Sequence, residues 1–580
     1  MFKATEIQQP HSSLERNGFF ALAGLLLCTA LTFASTFKFG WVYDDVPQIP
    51  QNQNLLWSRL GFLFTHHLWA SATGPGGRFY RPLLTLWFLI NKGIFGLNPH
   101  GFHVTTVLAH VIAASLAFFV ARTLLKDTGA ALFATAIFAL HPLQTESASW
   151  ISSVNDSLAA ALCFASFLMY RKARGKEYRP GGWWMLAGAL FLLALLAKEV
   201  SIVLPGIILV DLWSDPVDDS QPGSPPRPPF LAASLTYVPV ALVWLLLRFW
   251  VLSRSAASSS SVPSSGYLLS VPKIVLFNFY RMVLPIRLSP HYDFRLVESP
   301  ASAQFLLPLV ALLGLASLAI LAARRNPPLL VAVAWIVMPM LPTLNLRWMN
   351  QDDFIHDRYL YMSVLGAALL AGSGYAWIRK NWPKQQIVRP LAAALVVVLA
   401  FASAIQSQYW ANDVILFSRA VTMAPNNEWA QLNYGSALSS RGRYREAGPH
   451  FVRSYELKTG WMAADFAAFA YQQSGDLLEA ERWFTTALQL DPGLANAWFG
   501  LAQIRLTQHR PEEAVSYLKK SLEIAPAAPG YHYEMGTALE QWGQKPAAIE
   551  EYKQELQLHP DQATGRKAFE RLQHIGSIDR

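Results

Sequence analysis

The chain is poor in charge and poorer still in cysteine. Of its 580 residues only 15% are Asp, Glu, Lys or Arg, against 53% apolar, and the mean hydropathy is +0.24. This excludes a disordered chain and an ordinary soluble domain, which carries about 25% charge. The two cysteines, Cys28 and Cys163, both lie inside apolar runs, so neither a disulfide framework nor a cysteine-bound metal is available. A convincing small-residue cleavage signal is missing from the first apolar run, which ends in TFKFGWVYDD; it reads as a retained span rather than a signal peptide. Acidic charge is the scarcer sign, with 38 Asp and Glu against 47 Lys and Arg and a net charge of +9. The basic residues sit mainly in short loops between apolar runs, a mark of membrane topology rather than of nucleic-acid binding.

What the chain does have is apolar length. A bilayer core about 30 Å thick takes roughly 20 apolar helical residues per crossing. Runs near that size predict spans at 18–38, 101–124, 129–147, 154–171, 182–197, 199–214, 229–251, 302–323, 328–345, 357–377 and 389–408, eleven in all. Two interrupted runs, Pro82 to Leu97 and Leu268 to Pro285, contain Asn91 and Lys92 or Lys273, Asn278 and Arg281. They are assigned to the membrane surface as amphipathic helices. Basic loops at 171–179, at Arg324 and Arg325, and at Arg379, Lys380, Lys384 and Arg389 mark the cytoplasmic side. The N-terminus is then cytoplasmic, as is the proline-rich stretch 215–229. Loops 39–81, 147–154, the junction at 198, 252–301 and 346–357 face outward with the C-terminal part.

From Gln408 onward the sequence is polar and helix-forming, which divides it into a membrane domain, 1–408, and a water-soluble domain, 409–580. Pro492, Pro526 and Pro560 recur at intervals of 34 residues, and Pro425 lies 67 before Pro492. Ala447 with Phe451, Ala480 with Phe484, and Ala514 fall at equivalent places. Small residues let paired helices approach, aromatic rings fill the gap and proline closes each pair, which is the tetratricopeptide pattern. Four units are expected, 428–460, 461–494, 495–528 and 529–562, followed by a capping helix. The fold class is therefore all-α: a polytopic helical membrane domain followed by an α-solenoid whose concave face suits a peptide or protein.

Asp44, Asp45, His141, Glu146, Asp156, Lys198, Glu199, Arg248, Asp357 and Arg358 all map at or near the outer boundary. An ionisable side chain at the centre of a membrane helix costs about 3 kcal/mol on insertion scales, so a convergent set marks a functional site. Taken singly, each has a competing role as a helix cap at headgroup level.

Five motifs occur in order ahead of the repeats: WVYDDVPQIPQNQNL after the first run, FYRPLLTLWFLIN at 79–91, HPLQTESASWISSVNDSLAA at 141–160, AKEVSIVLPG at 197–206 and HDRYLYMSVLG at 356–366. In these the chain resembles the transmembrane and tetratricopeptide-repeat-containing protein O-mannosyltransferases, multispan glycosyltransferases of the GT-C class that use a lipid-phosphate sugar. Three departures bear on donor and acceptor: Asn155 stands before Asp156 where a basic or polar residue is usual, VSI follows Lys198-Glu199 in place of a common glutamine and glycine, and 215–229 is a private proline-rich cytoplasmic loop. The resemblance implies transfer of a sugar, with mannose the first candidate, from a polyprenyl phosphate to a protein Ser or Thr hydroxyl. It also implies that one of Asp44 and Asp45 is the catalytic base of an inverting single displacement.

The residues suit that chemistry. The hydroxyl must lose its proton as the bond forms, and a carboxylate in hydrogen-bond reach accepts it; adjacent carboxylates repel, so one of the pair titrates higher. The departing lipid phosphate needs cations in a partly water-excluded place. Lys198, Arg248 and Arg358 are the candidates, arginine offering bidentate contacts, although Arg248 in LLLRFW could equally snorkel. Tyr80, Arg81, His141, Glu146, Asp156 and Glu199 are expected around the pocket. No cofactor is expected beyond the lipid-linked sugar, which is a substrate, and no divalent metal, since His66 and His67 would point apart on a helix. The expected partners are the lipid donor and an acceptor protein or peptide held in the repeat groove, without nucleic acid. The expected location is a bacterial inner membrane, with site and repeats on the periplasmic face. The alternative is a membrane-anchored tetratricopeptide adaptor without catalysis; a transporter, with ionisable groups at the midplane, ranks below both.

Overall fold

The computed structural model describes residues 11–70, 79–175, 180–214, 229–254, 264–344, 354–382 and 385–578, and among them the regular structure is entirely helical. Two compact units form, Met1–Arg419 and Ala420–Arg580. The division falls after Gln408 because the start of the helix Asp413–Met423 is anchored to the first unit. Asp413 Oδ1 accepts the Tyr43 N–H at 2.7 Å, and Phe417 meets the Tyr43 ring edge-on.

Among the described residues of the first unit, five segments are long and apolar enough to cross a membrane: Pro99–Leu125, Ile151–Ala173, Phe230–Leu252, Ala303–Arg325 and Val388–Gln408. Gly18–Thr32, Pro82–Phe95, Thr128–Leu140, Gly181–Ala197 and Leu329–Leu344 are apolar but shorter. By this measure the count of eleven full spans is not confirmed among the described residues, and two of the shorter runs are broken at proline. The run from 129 stops as helix at Leu140, because Pro142 lacks an N–H and holds His141 extended, at φ −71° and ψ 132°. The run from 199 opens with the 3-10 turn Glu199–Val203 before the short helix Leu204–Ser214. The run from 328 is helical only over Leu329–Val337 and then breaks into 3-10 turns at Pro339 and Pro342.

The helix Ser264–Val283 departs from the surface assignment in a different way. It buries Ser270, Asn278 and Arg281 while Leu268 and Val283 are more than two-thirds exposed. Its inward face thus carries these polar groups beside the buried Tyr267, Ile274 and Met282, while apolar residues also face outward. The helices Pro99–Leu125 and Thr128–Leu140 pack together, and their Ala113, Ala117, Ala121, Ala131 and Ala134 are all fully buried in one core. Small residues of this kind let backbones approach closely where apolar burial alone gives no drive in lipid. The proline-rich stretch 215–229 lies outside the described residues except for Pro229, which begins the helix Pro229–Leu252.

At the end of the bundle that carries Lys126, Arg379 and Lys380, Asp127 pairs with Arg379. On the same side Asp211 is a buried acceptor inside an apolar run. It takes hydrogen bonds from Tyr170 at 2.7 Å, Arg171 at 2.9 Å and Arg174 at 3.0 Å. Two of the expected topogenic arginines thus have an internal counter-charge.

The second unit consists of the helix pairs Glu428–Ser439 with Tyr444–Leu457, Trp461–Ser474 with Leu477–Leu490, Ala495–Thr507 with Pro511–Ile524, and Tyr531–Gln541 with Lys545–Leu558, then Ala563–Ile578. Gly435 shows why small residues recur: a Cβ there would come within 2.7 Å of the Phe451 ring.

Replacing Asp211 with Ala leaves Arg171 and Arg174 without their shared carboxylate, a loss of about 3–5 kcal/mol for a buried pair broken on one side. Thermal unfolding in detergent should show a clear drop in melting temperature, and an unchanged melt would contradict the assignment.

Candidate active site

Beyond the first helix the chain forms the 3-10 turn Ala34–Lys38 and then bends at Tyr43, whose φ of 55° is left-handed for a residue other than glycine. The bend is held by the Asp413 carboxylate on the Tyr43 N–H and by stacking of the Tyr43 ring on Trp150, 5.6 Å between centroids. It sets the two aspartates in unlike surroundings. Asp45 is fully buried at the start of the short helix Asp45–Gln48. Its Oδ1 accepts the Ser152 N–H at 2.8 Å and the Ser152 hydroxyl at 2.6 Å, and its Oδ2 accepts the Val42 N–H at 3.1 Å. Burial pushes its pKa up to about 7, partly opposed by the Ser152 and Val42 hydrogen bonds and reinforced by Asp44. Asp44 precedes the helix and is half-buried. The repulsion expected between neighbours is present, but burial is the larger cause of the asymmetry.

The 3-10 turn Ile151–Ser153 joins this doublet to a set of ion pairs. While Ser152 holds Asp45, the next residue, Ser153, donates its hydroxyl to Asp156 Oδ2 at 3.1 Å. Asp156 Oδ1 accepts Lys198 Nζ at 2.5 Å, tying the start of the helix Val154–Ala173 to the end of Pro180–Ala197. Glu199 receives Arg81 through two bonds, Nε to Oε2 at 2.9 Å and Nη2 to Oε1 at 2.5 Å. Glu146 accepts the Arg358 backbone N–H at 2.9 Å and also its guanidinium. Arg358 lies 5.2 Å over the Trp150 ring, the same indole on which Tyr43 and Trp410 stack. Arg81 and Arg358 both lie within electrostatic reach of Asp156 and Lys198, and Arg248 within reach of Glu199 and Arg81. Counted over these seven side chains, four cations face three carboxylates.

Tyr80 and His141 are brought to the same region with other work to do. The Tyr80 hydroxyl donates to the Phe64 carbonyl at 3.0 Å. Both ring nitrogens of His141 are engaged, Nδ1 accepting from the Leu143 N–H at 3.2 Å and Nε2 lying 3.0 Å from the Met282 carbonyl. Asp357 turns away from Arg358 to a partner the sequence reading left at the membrane surface: Arg281 Nη1 donates to Asp357 Oδ1 at 2.6 Å, as does the Tyr292 hydroxyl at 2.6 Å. Arg281 also donates to Asn278 at 2.5 Å. Burial pushes the Asp357 carboxyl up to about 6, against the pull of Arg281. The signal for Arg281 was its spacing of three from Asn278, which puts both on one helix face. Ser152, Ser153 and Trp150 lay within a quoted motif, but nothing local marked their partners. His66 sits 3.0 Å from the Thr65 hydroxyl, and among the described residues no three His, Cys, Asp or Glu side chains gather as ligands for an ion.

Fold and site together define an integral-membrane protein with a charged, largely buried site at one end of its helices and a helical repeat array at its C-terminus. Residues 80–244 match the family described as dolichyl-phosphate-mannose-protein mannosyltransferase, and residues 462–527 match the tetratricopeptide repeat. Protein O-mannosyl-transferase TMTC1 of Homo sapiens is 25% identical, over 87% of this chain and 62% of its own. Protein O-mannosyl-transferase Tmtc1 of Drosophila melanogaster is 28% identical, over 73% and 60%. Protein O-mannosyl-transferase TMTC3 of Mus musculus is 22% identical, over 90% and 62%. The resemblance to the transmembrane and tetratricopeptide-repeat-containing protein O-mannosyltransferases thus extends along most of the chain, which spans about three fifths of the length of these relatives. The solved structure of MamA is 19% identical over 25% of this chain and 86% of its own, with a TM-score of 0.24, too slight a likeness to bear on function.

Because the Asp45 carboxyl titrates higher in the folded chain than in the unfolded one, folding takes up a proton between about pH 4 and pH 7. Its contribution to stability is therefore full below that window, falls as pH rises through it and is constant above. Melting temperatures of the wild type and Asp45→Asn across pH 4–8 should converge or cross in that interval; parallel curves would show that Asp45 titrates normally.

Proposed function

We propose that the chain is a membrane glycosyltransferase that moves a sugar, mannose before others, from a polyprenyl phosphate to a Ser or Thr hydroxyl of a protein. The observation that carries this is the family match over 80–244, which falls on the segment supplying Arg81, Glu146, Asp156, Lys198 and Glu199. In this reading Asp44 is the base. Asp45 is sealed from solvent and its two oxygens accept three hydrogen bonds, so it acts as the anchor that sets Asp44, its half-buried neighbour, in place.

The acceptor hydroxyl attacks the anomeric carbon from the face opposite the phosphate. The bond to the phosphate oxygen breaks as the new C–O bond forms, the hydroxyl proton passes to Asp44, and configuration inverts. The lipid phosphate leaves carrying the electron pair, and its growing charge is met by Arg358 and Lys198, with Arg81 and Arg248 behind them. Glu146, Asp156 and Glu199 fix those cations in advance, so little reorganisation is needed when charge develops. The repeats hold the acceptor, and the site opens to the periplasmic side of a bacterial inner membrane. The donor is a substrate, and the residues supply both proton acceptance and charge stabilisation without a metal.

Purified Asp44→Asn protein should lose about 10²–10⁴-fold in transfer rate from a radiolabelled polyprenyl-phosphate mannose while keeping its affinity for the donor; full activity would reject the assignment. Arg358→Met should lower kcat by about 10²-fold or more, as expected when a transition-state cation is removed, and a pure KM effect would assign it to ground-state binding instead.

A further inference from the structure

The first helices of three successive repeats, Trp461–Ser474, Ala495–Thr507 and Tyr531–Gln541, are linked by polar side chains along one face. Gln472 donates to Gln503 at 3.1 Å, Gln503 to Glu534 at 3.5 Å, and the Tyr531 hydroxyl to Asn496 at 2.6 Å. Lys567 lies within electrostatic reach of Glu534. Asp465 stands apart in this row. Its Oδ1 is buried with no hydrogen-bond partner, and among the described residues no cation acts on it; burial alone pushes its carboxyl up to about 6. A buried acceptor left unsatisfied is destabilising, and a ligand that supplied the missing donor would relieve that.

The surroundings narrow the ligand. Met462, Asp465, Phe469 and Gln472 follow the three-and-four spacing of one helix face, and Met462 and Phe469 are 37% and 45% exposed. Beside them on the next repeats Phe499 stacks on Tyr531 with ring centroids 4.5 Å apart, and Asp465 lies within electrostatic reach of Tyr531. A lone carboxylate on a helix face that also carries an exposed thioether and an exposed aromatic ring matches a long cation, whose methylene stem packs on apolar surface while its head is drawn to the carboxylate. The ladder of Gln472, Asn496 and Gln503 offers amides to the backbone of an extended chain.

We propose that this face of the repeats binds an extended peptide segment bearing a lysine or arginine, with the cationic head on Asp465 and flanking apolar residues on Met462 and Phe469. The inference deepens the reading that the repeats hold the acceptor, and its test measures binding alone, so a failed transfer assay leaves it standing. The full chain in detergent micelles is titrated against fluorescein-labelled, end-blocked Ala/Ser nonapeptides containing one Phe and a central Lys, norleucine or Glu. The Lys peptide should bind at least tenfold more tightly than the norleucine peptide. Asp465→Asn should erase that difference without lowering the melting temperature, and Asp465→Lys should move the preference to the Glu peptide. Equal binding of the Lys and norleucine peptides, a preference that survives Asp465→Asn, or no binding by any of the three overturns the proposal.

Discussion

Buried charge is the constraint on which the first unit depends. Four pairs, Asp156 with Lys198, Glu199 with Arg81, Glu146 with Arg358 and Asp357 with Arg281, lie at one end of its helices, and each joins segments far apart in sequence. Removing one partner from such a pair costs several kcal/mol, because the other charge stays buried without compensation. The pairs therefore fix one another: a loop that moved would expose or orphan a charge on a second loop, and that on a third. Rigidity of this kind is what a charge-stabilising site requires, since cations that must reorganise give up much of their value.

The acidic doublet obeys the same constraint by a different route. Asp45 has no cationic partner among its hydrogen bonds and is satisfied by two backbone N–H groups and a hydroxyl, which leaves desolvation as the larger influence on its titration. The left-handed turn at Tyr43 is a local cost met by the Asp413 hydrogen bond and by packing against Trp150 and Phe417. Adjacent in sequence, the two carboxylates therefore have different exposures, and the consecutive serines 152 and 153 tie one of them to the nearest ion pair.

Much of this was legible in the residues. Apolar runs gave the positions of nearly all the helices, because burial and lipid exposure both demand long apolar segments, and the 34-residue spacing of prolines gave the repeat units. The gathering of Asp44, Glu146, Asp156, Lys198 and Arg358 followed from their positions at the ends of runs. What could not be read was pairing, since a carboxylate carries no local mark of which distant cation it will meet. Helix lengths were overstated where Pro142, Pro339 and Pro342 stop a helix that composition alone would continue. Arg281 was misplaced for a related reason: in a membrane protein a polar helix face can turn inward as readily as outward, and the sequence pattern is identical in the two cases.

The most direct measurement is a double-mutant cycle on the pair at the centre of the site. Lys198→Met and Asp156→Asn, singly and together, would be compared by equilibrium unfolding in detergent. If paired burial holds the site, each single variant is destabilised and the double variant is no less stable than the worse single one, because no orphaned charge remains. Losses that simply add would mean that the two charges act independently, and the interlocked site described above would not exist.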